Sequence, residues 1–408
     1  MIFFEQLSSD DSRIAGALAR PGPAARGAPL GLRWRAMARV GLRMMFHDKL
    51  KMLGTLAGVI FAVVLSIQQA GTFLGLMHKN TMFVRNSGAD IWIVPPSTEQ
   101  VQPGKMLSDA ALMQARVAGG VAWAEPLVFG GASIALPGGG SEQITLIGTR
   151  APALRGGPWN MVAGDPSVLG ATDTMIFEDS DREKLGGLNV GSLREVNGNK
   201  VQVGGFTWGL LPFGPSYAFA DVDLARRLMR VDSDRLSFVL VGLAPGADLQ
   251  AVKAELAARV PEAKVMTRAE LERSTIRFLL TRTPIGITFG TSAVFGLIVG
   301  FVIVALSMFS AVVDNLREFG TLKAIGTTNG DLAKLLFVQS VTYALIGSIV
   351  GLGIVTQIAS AARSPNLAIQ LPPELLLGIV VVMLFLCLSA SSLALLRLRR
   401  LEPAMVFR

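Results

Sequence analysis

Four long, mostly apolar stretches of the chain carry no charged side chain: Met52 to Met77, Thr283 to Val313, Leu335 to Ala362, and Leu375 to Leu396. A membrane helix needs about 20 mostly apolar residues, so the pattern predicts transmembrane helices over 52–77, 283–313, 335–362 and 375–396. Between the first and second, the pattern shortens to that of a soluble α/β domain. "ADIWIVPP" (89–96) reads as a strand stopped by Pro95 and Pro96. "LSDAALMQARVAG" (107–119) reads as a helix with Ser108 or Asp109 near its N-cap. "EQITLIGT" (142–149), "RLSFVLVGL" (235–243) and "AKVMT" (263–267) read as strands, and "ADLQAVKAELAARV" (247–260) as an amphipathic helix ended by Pro261. Residues 151–234 are richer in Gly, Pro and Asp and read as loops and short strands. That suggests two subdomains within 78–266, with about 151–234 inserted between the flanks.

The segments bordering the membrane have their own signals. In 31–51, Arg35, Arg39 and Arg43 recur every fourth residue, beside Trp34, Met37, Met44 and Met45. This is either an interfacial helix along the cytoplasmic leaflet or a basic extension of the first span. Thr267 and Glu270 fit a capping box. The helix they start is expected to form a rigid stalk that continues into the second span with Pro284 near its entry, giving one unit over 267–313; a plain linker is the alternative. Small residues four apart at Gly54/Gly58, Gly71/Gly75, Gly296/Gly300 and Gly347/Gly351 let helices approach closely, although such pairs also arise by chance in glycine-rich spans. Gln68 and Gln69 lie at membrane depth, where they either line a cavity or hydrogen-bond between helices.

Composition agrees with this layout. Of 408 residues, 51% are hydrophobic and 17% charged, against about 25% charged in soluble domains. The mean hydropathy is +0.49. The net charge of +8 does not point to nucleic acid, because of where the charge lies. Residues 78–282 hold equal numbers of basic and acidic side chains. The excess sits in 1–51 (Arg33, Arg35, Arg39, Arg43, Lys49 and Lys51 among others), in 314–334 (Arg317, Lys323, Lys334), and in 397–408 (Arg397, Arg399, Arg400, Arg408). The loop 363–374 holds only Arg363. The positive-inside rule puts both termini and 314–334 in the cytoplasm, and 78–282 and 363–374 outside. The basic excess then faces anionic membrane lipid. Residues 1–30 lack the basic start and apolar middle of a secretory signal and read as a flexible cytoplasmic tail; 397–408 reads as a cytoplasmic tail at the other end.

Candidate chemistry is sparse. One cysteine, Cys387, excludes an intramolecular disulfide. His47 and His78 leave little for a metal site or a histidine base. The chain contains no H-E-x-x-H, no G-x-S-x-G and no G-x-x-x-x-G-K-[ST] loop. Glu178, Asp179 and Asp181 read as a solvated turn, with a cation site as the alternative. No catalytic, metal or cofactor residue is assigned, and the chain is expected to be non-enzymatic.

The remaining feature is "NLREFGTLKAIGTTNGDLAKLLFVQS" (315–340), a charged, glycine-containing cytoplasmic turn between two uncharged spans. It reads as a helical knob with Phe319 and Leu322 as partly exposed apolar anchors, turned at 326–331 and capped again by Thr328 or Asn329. Such a knob suits a groove on a cytoplasmic partner.

This stretch, with "GSIVGLGI" (347–354), resembles the signature of FtsX/MacB-type ABC transporter permeases. Their pattern of an acidic residue, an aromatic, Gly and a Leu-Lys-Ala-x-Gly run matches Glu318, Phe319, Gly320, Leu322, Lys323, Ala324 and Gly326. "LSDAALMQARVAGGVAWAEPLV" (107–128) resembles the start of the family's external domain, and "GVIFAVVLSIQQAG" (58–71) looks most like the DevC branch. The resemblance covers most of 40–400 and is weakest in 151–234. It implies an integral membrane protein of four transmembrane helices with an α/β extracytoplasmic domain between helices 1 and 2. It implies that Arg317, Glu318, Phe319, Gly320, Leu322, Lys323, Ala324 and Gly326 couple to a separate cytoplasmic ABC ATPase, which binds the ATP and Mg that this chain does not. It further implies a homodimer in the bacterial inner membrane, a periplasmic membrane-fusion protein and an outer-membrane channel. The expected role is the permease of a mechanotransmission-type exporter. An FtsX-like signalling scaffold and a LolC/E-like lipoprotein-release permease are the alternatives.

Overall fold

The computed structural model describes residues 30–399 except 48, 103, 211–213, 315–318, 323–326 and 362–369. The proposed tails at 1–30 and 397–408, and most of the loop 363–374, therefore lie largely outside the described residues. The chain divides into two units. One holds the described residues up to Gly71, from Gly290 to Ala361 and from Leu371 onward. The other spans Thr72–Phe289, with 362–370.

The helical unit begins with α1 (Leu30–His47), followed by α2 (Lys49–Asn86). It continues with α7 (Pro284–Asp314), α8 (Asn329–Ala361) and α9 (Pro373–Arg399). Among the described residues, four helices are long and apolar enough to cross a membrane, over Lys49–Asn86, Gly286–Ser307, Asn329–Ile358 and Pro373–Leu393. Glycines set their approach. A Cβ on Gly58 would lie 2.4 Å from Ile303 on α7, and one on Gly300 2.6 Å from Ala62 on α2. On α8, a Cβ on Gly347 would lie 2.4 Å from Val59, and one on Gly351 2.7 Å from Val63. Gly296 meets Leu65 at an ordinary 3.4 Å. Gly54 differs: it is exposed with nothing within 4 Å of such a Cβ, so among the described residues it packs on no other helix. Gln68 is exposed and Gln69 half-buried. The basic segment forms its own helix, α1, which lies on α8: Gly41 faces Leu335, and the Gln339 side-chain amide donates to the Gly41 carbonyl at 2.9 Å.

The α/β unit is built on a ten-stranded sheet. Its strands are β1 (Ile91–Val94), β3 (Val121–Ala135), β4 (Ser141–Thr149), β5 (Met161–Ala163), β6 (Thr174–Glu178), β7 (Leu193–Val196), β8 (Asn199–Thr207), β9 (Ser216–Asp221), β11 (Phe238–Leu243) and β12 (Lys264–Thr267). The order is β12-β1-β11-β3-β4-β9-β6-β8-β5, with β7 beside β3 and β8. The short strands β2 (Leu107–Ser108) and β10 (Arg235–Leu236) pair separately. The boundary expected near residue 151 does not interrupt the sheet. β4 pairs in parallel with β9, Ile144 opposite Ser216 through Thr149 opposite Asp221, so flank and insert share one ladder.

Helices cover one face. α3 (Asp109–Arg116) and α5 (Leu249–Arg259) bury Ala111, Leu112, Val252 and Leu256 against Ile91, Ile93, Val239 and Val241. α4 (Val222–Met229) serves the insert, packing Leu224, Ala225 and Leu228 on Leu146, Val203 and Ala218. Successive strand side chains alternate between faces, so Trp92, Phe238 and Leu240 point away from α3 and α5 into a second core. Strand β1 is buried at all four positions, as a strand covered on both sides must be. The predicted cap at Ser108 forms, accepting from the Ala110 amide, and Asp248 caps α5 by accepting from the amides of Gln250 and Ala251.

Helix α6 (Arg268–Arg282) opens on the predicted capping box, in which Thr267 accepts from the Glu270 amide and Glu270 from that of Thr267. Continuation into the second span does not occur. Thr283 is extended, at φ −112° and ψ 152°, and α7 starts anew at Pro284. The proline ring clashes with a helical preceding residue, while its fixed φ suits the first position of the next helix.

Candidate functional site

The coupling stretch is described at 319–322 and from Thr327 onward; Arg317, Glu318, Lys323, Ala324 and Gly326 lie outside the described residues. Residues 319–322 are helical, and the Leu322 carbonyl accepts from the Thr327 amide at 3.0 Å. Thr328, one of the two predicted candidates, caps α8. Its hydroxyl accepts from the Asp331 amide at 3.2 Å and donates to the Asp331 carboxylate at 2.7 Å, and that carboxylate also accepts from the Thr328 amide. Lys334 Nζ lies 3.0 Å from Asp331, so the turn is fixed by a local charged network.

Phe319 corrects the expectation of an exposed anchor. It is 2% exposed, packed with Leu332, Leu335 and Leu336 of α8 and with Val40 and Met44 of α1. Leu322 and Leu395 are partly buried against the same cluster, and Gly320 is buried. A phenyl ring gains more by filling this apolar site than by facing water. The surface that the described part of the knob presents is polar: Thr321, Thr328, Asn329 and Gly330 are exposed. Phe319 therefore shapes the knob from inside. The cradle on α1 was readable as the four-residue spacing of Val40 and Met44, but nothing in the sequence tied that face to Phe319.

The outer end of α2 enters the α/β unit. Phe73, Leu76 and Met77 pack with Ile276 and Leu279 of α6, so the two helices form a stalk. Beyond them, Phe83 and Val84 are core residues beneath the sheet. The Phe83 ring lies 6.0 Å from Trp92, 6.0 Å from Phe129 and 6.2 Å from Trp159, within the range of favourable aromatic pairs. Arg85 meets Glu272 at 3.1 Å across the stalk.

The carboxylates read as a solvated turn are not one. Glu178, the last residue of β6, is 2% exposed, and Asp181 is 9% exposed. Burial pushes the Glu178 carboxyl up to about 7; hydrogen bonds from the Gly209 and Leu210 amides and the charge of Lys79 work against that, and Asp181 adds to it. Burial also raises Asp181, opposed in part by Lys184. Among the described residues, no three His, Cys, Asp or Glu side chains come together as a metal group would need.

Two family models match the chain: the MacB-like periplasmic core domain over residues 52–259 and the FtsX-like permease C-terminal domain over residues 290–403. No curated protein matches it. Among solved structures, the chain is similar to the extracellular domain of the noncanonic ABC-type transporter YknZ from Gram-positive bacteria. That match has 14% identity and a TM-score of 0.33, and covers 44% of this chain and 98% of that one. The periplasmic region of MacB from Actinobacillus actinomycetemcomitans matches at 10% identity and a TM-score of 0.36, covering 47% of this chain and 94% of that one. The MacB model alone spans half of the sequence, and the FtsX model takes up the three later membrane helices together with the turn that holds Phe319; the chain belongs to the MacB/FtsX-like family of ABC transporter permeases.

Proposed function

We propose that this chain is the permease subunit of a mechanotransmission-type exporter. A separate cytoplasmic ABC ATPase grips the turn around 314–334, and its cycle moves the α/β unit, which pushes a substrate outward from the external side. The reading places both termini in the cytoplasm, on the distribution of Lys and Arg. It takes two copies of the chain, a membrane-fusion protein and an outer-membrane channel to complete the assembly, with the DevC branch as the nearest pattern.

The observation that carries it is α2. This helix is continuous for 38 residues, about 57 Å at 1.5 Å per residue, well beyond the ~30 Å hydrocarbon layer. Its first half packs among the other membrane helices and its last turns lie in the core of the α/β unit. A side-chain core at each end of one uninterrupted helix lets a displacement at one end reach the other without loss in a flexible linker.

The test interrupts the helix. Inserting Gly-Gly-Ser after Gly71 is expected to leave the ATPase bound and hydrolysing ATP while abolishing ATP-dependent changes in hydrogen exchange of the α/β unit. Undiminished changes in the insertion variant would overturn the mechanical reading.

A further inference from the structure

We infer that Lys79 and Glu178 form a clasp on the segment Trp208–Leu210, and that Lys79 is the positioning residue through which the outer end of α2 holds the far part of the sheet. The inference rests on the mechanical reading above and adds the point at which the helix takes hold.

Lys79 Nζ donates to the Gly209 carbonyl at 3.2 Å and to the Leu210 carbonyl at 3.3 Å. It also lies 5.2 Å from the centre of the Trp208 ring, within cation–π range. From the other side, the amides of the same two residues donate to Glu178, Gly209 to Oε1 at 3.0 Å and Leu210 to Oε2 at 3.4 Å. Both carbonyls of this dipeptide thus go to a cation on α2, and both amides to a carboxyl at the end of β6.

The segment is tied to the insert as well. Trp208 follows β8 directly, and its amide donates to the Asn160 carbonyl at 3.1 Å. Leu210 is buried in the core that holds Phe83 of α2 and Phe219 of β9. Gly209 has φ +121°, a conformation open to glycine and strained for other residues. Hydrogen bonds to charged partners are about twice as strong as neutral ones, so the two from Lys79 concentrate hold on these residues, and the Glu178 carboxyl adds two more bonds from the other side. The groups facing Glu178 are Lys79 from α2, Asp181 from the turn after β6, the Ser180 hydroxyl, which donates to Oε1 at 3.3 Å, and the two amides; Lys184 faces Asp181. The clasp also has a pH direction. The Glu178 carboxyl sits near 7 when clasped and near its ordinary value when hydrated. Clasping is therefore favoured at low pH and loosens as pH rises through 7.

The experiment is hydrogen exchange of the Gly209 and Leu210 amides in the full-length permease in nanodiscs, with β3 amides as a folding control. Lys79→Met is expected to speed exchange at 209–210 about tenfold with β3 unchanged, and Lys79→Arg to restore most of the protection. From pH 5.5 to 8.5, protection corrected for intrinsic rate should fall about tenfold in the parent protein and stay flat in Glu178→Gln. Exchange in Lys79→Met within twofold of the parent would overturn the clasp.

A second arm adds the ATPase and ATP with vanadate. The positioning role predicts that nucleotide changes exchange in β6 and β8 of the parent protein but not of Lys79→Met. Identical changes in both would overturn that role while sparing the mechanical reading. No change anywhere in the parent's α/β unit would overturn both.

Discussion

The two ends of α2 meet their neighbours in opposite ways. Toward its N-terminal end, α2 touches α7 and α8 where those helices offer glycine, and contact is made by letting backbones close in. Toward the outer end, its Phe83 sits among Trp92, Phe129 and Trp159. The difference follows from the surrounding medium. Lipid gives apolar side chains no reason to leave it, so membrane helices associate through close packing of small residues. In water, large aromatic surface is what drives burial. One helix carries both solutions because it serves two solvents.

That contrast can be broken by substitution. The largest effect is expected at the outer end. Phe83→Ala removes a buried ring and should cost about 3–5 kcal/mol, read as loss of the thermal transition of the α/β unit by near-ultraviolet circular dichroism. A cost below 1 kcal/mol would mean that the outer end merely rests on the sheet. At the inner end, Gly347→Val drives a branched side chain onto Val59, and overpacking of this kind costs about 1–3 kcal/mol. A lower melting temperature in detergent is the expected result. Gly54→Ala sharpens the comparison, because the same helix has open space there. Alanine is favoured over glycine in an exposed helix by up to about 1 kcal/mol, so the melting temperature should rise slightly. A fall would mean that this turn of α2 packs on a second copy of the chain.

The sequence was most legible where one local rule decides the outcome. The uncharged runs mark the spans, and Ser108 and the Thr267–Glu270 box mark helix starts. The alternation in 142–149 marks β4. It was least legible where the partner lies far along the chain. Nothing near Ile144 announces that β4 will pair in parallel with β9 across four intervening strands, so the insert looked like a separate subdomain. Glu178, Asp179 and Asp181 look like a wet turn because local charge density is all that a short window contains. The two groups that keep Glu178 company, Lys79 and the 209–210 amides, come from elsewhere. Phe319 failed for a related reason. An aromatic among charges reads as an exposed anchor until α1 is known to lie against it. For the coupling turn, the family pattern was carried by side chains at 317–326, while its described architecture is carried by Thr328, Asp331 and the α1 face that no motif includes.

The break at Thr283 lies inside the α/β unit, which runs to Phe289. There the last turns of α2 are uninterrupted helix, whereas α6 ends at one extended residue before a proline. A helix bends only by giving up hydrogen bonds along its length; a joint turns at a single residue. Backbone motion in the stalk is therefore expected to concentrate at Thr283 and to leave α2 straight.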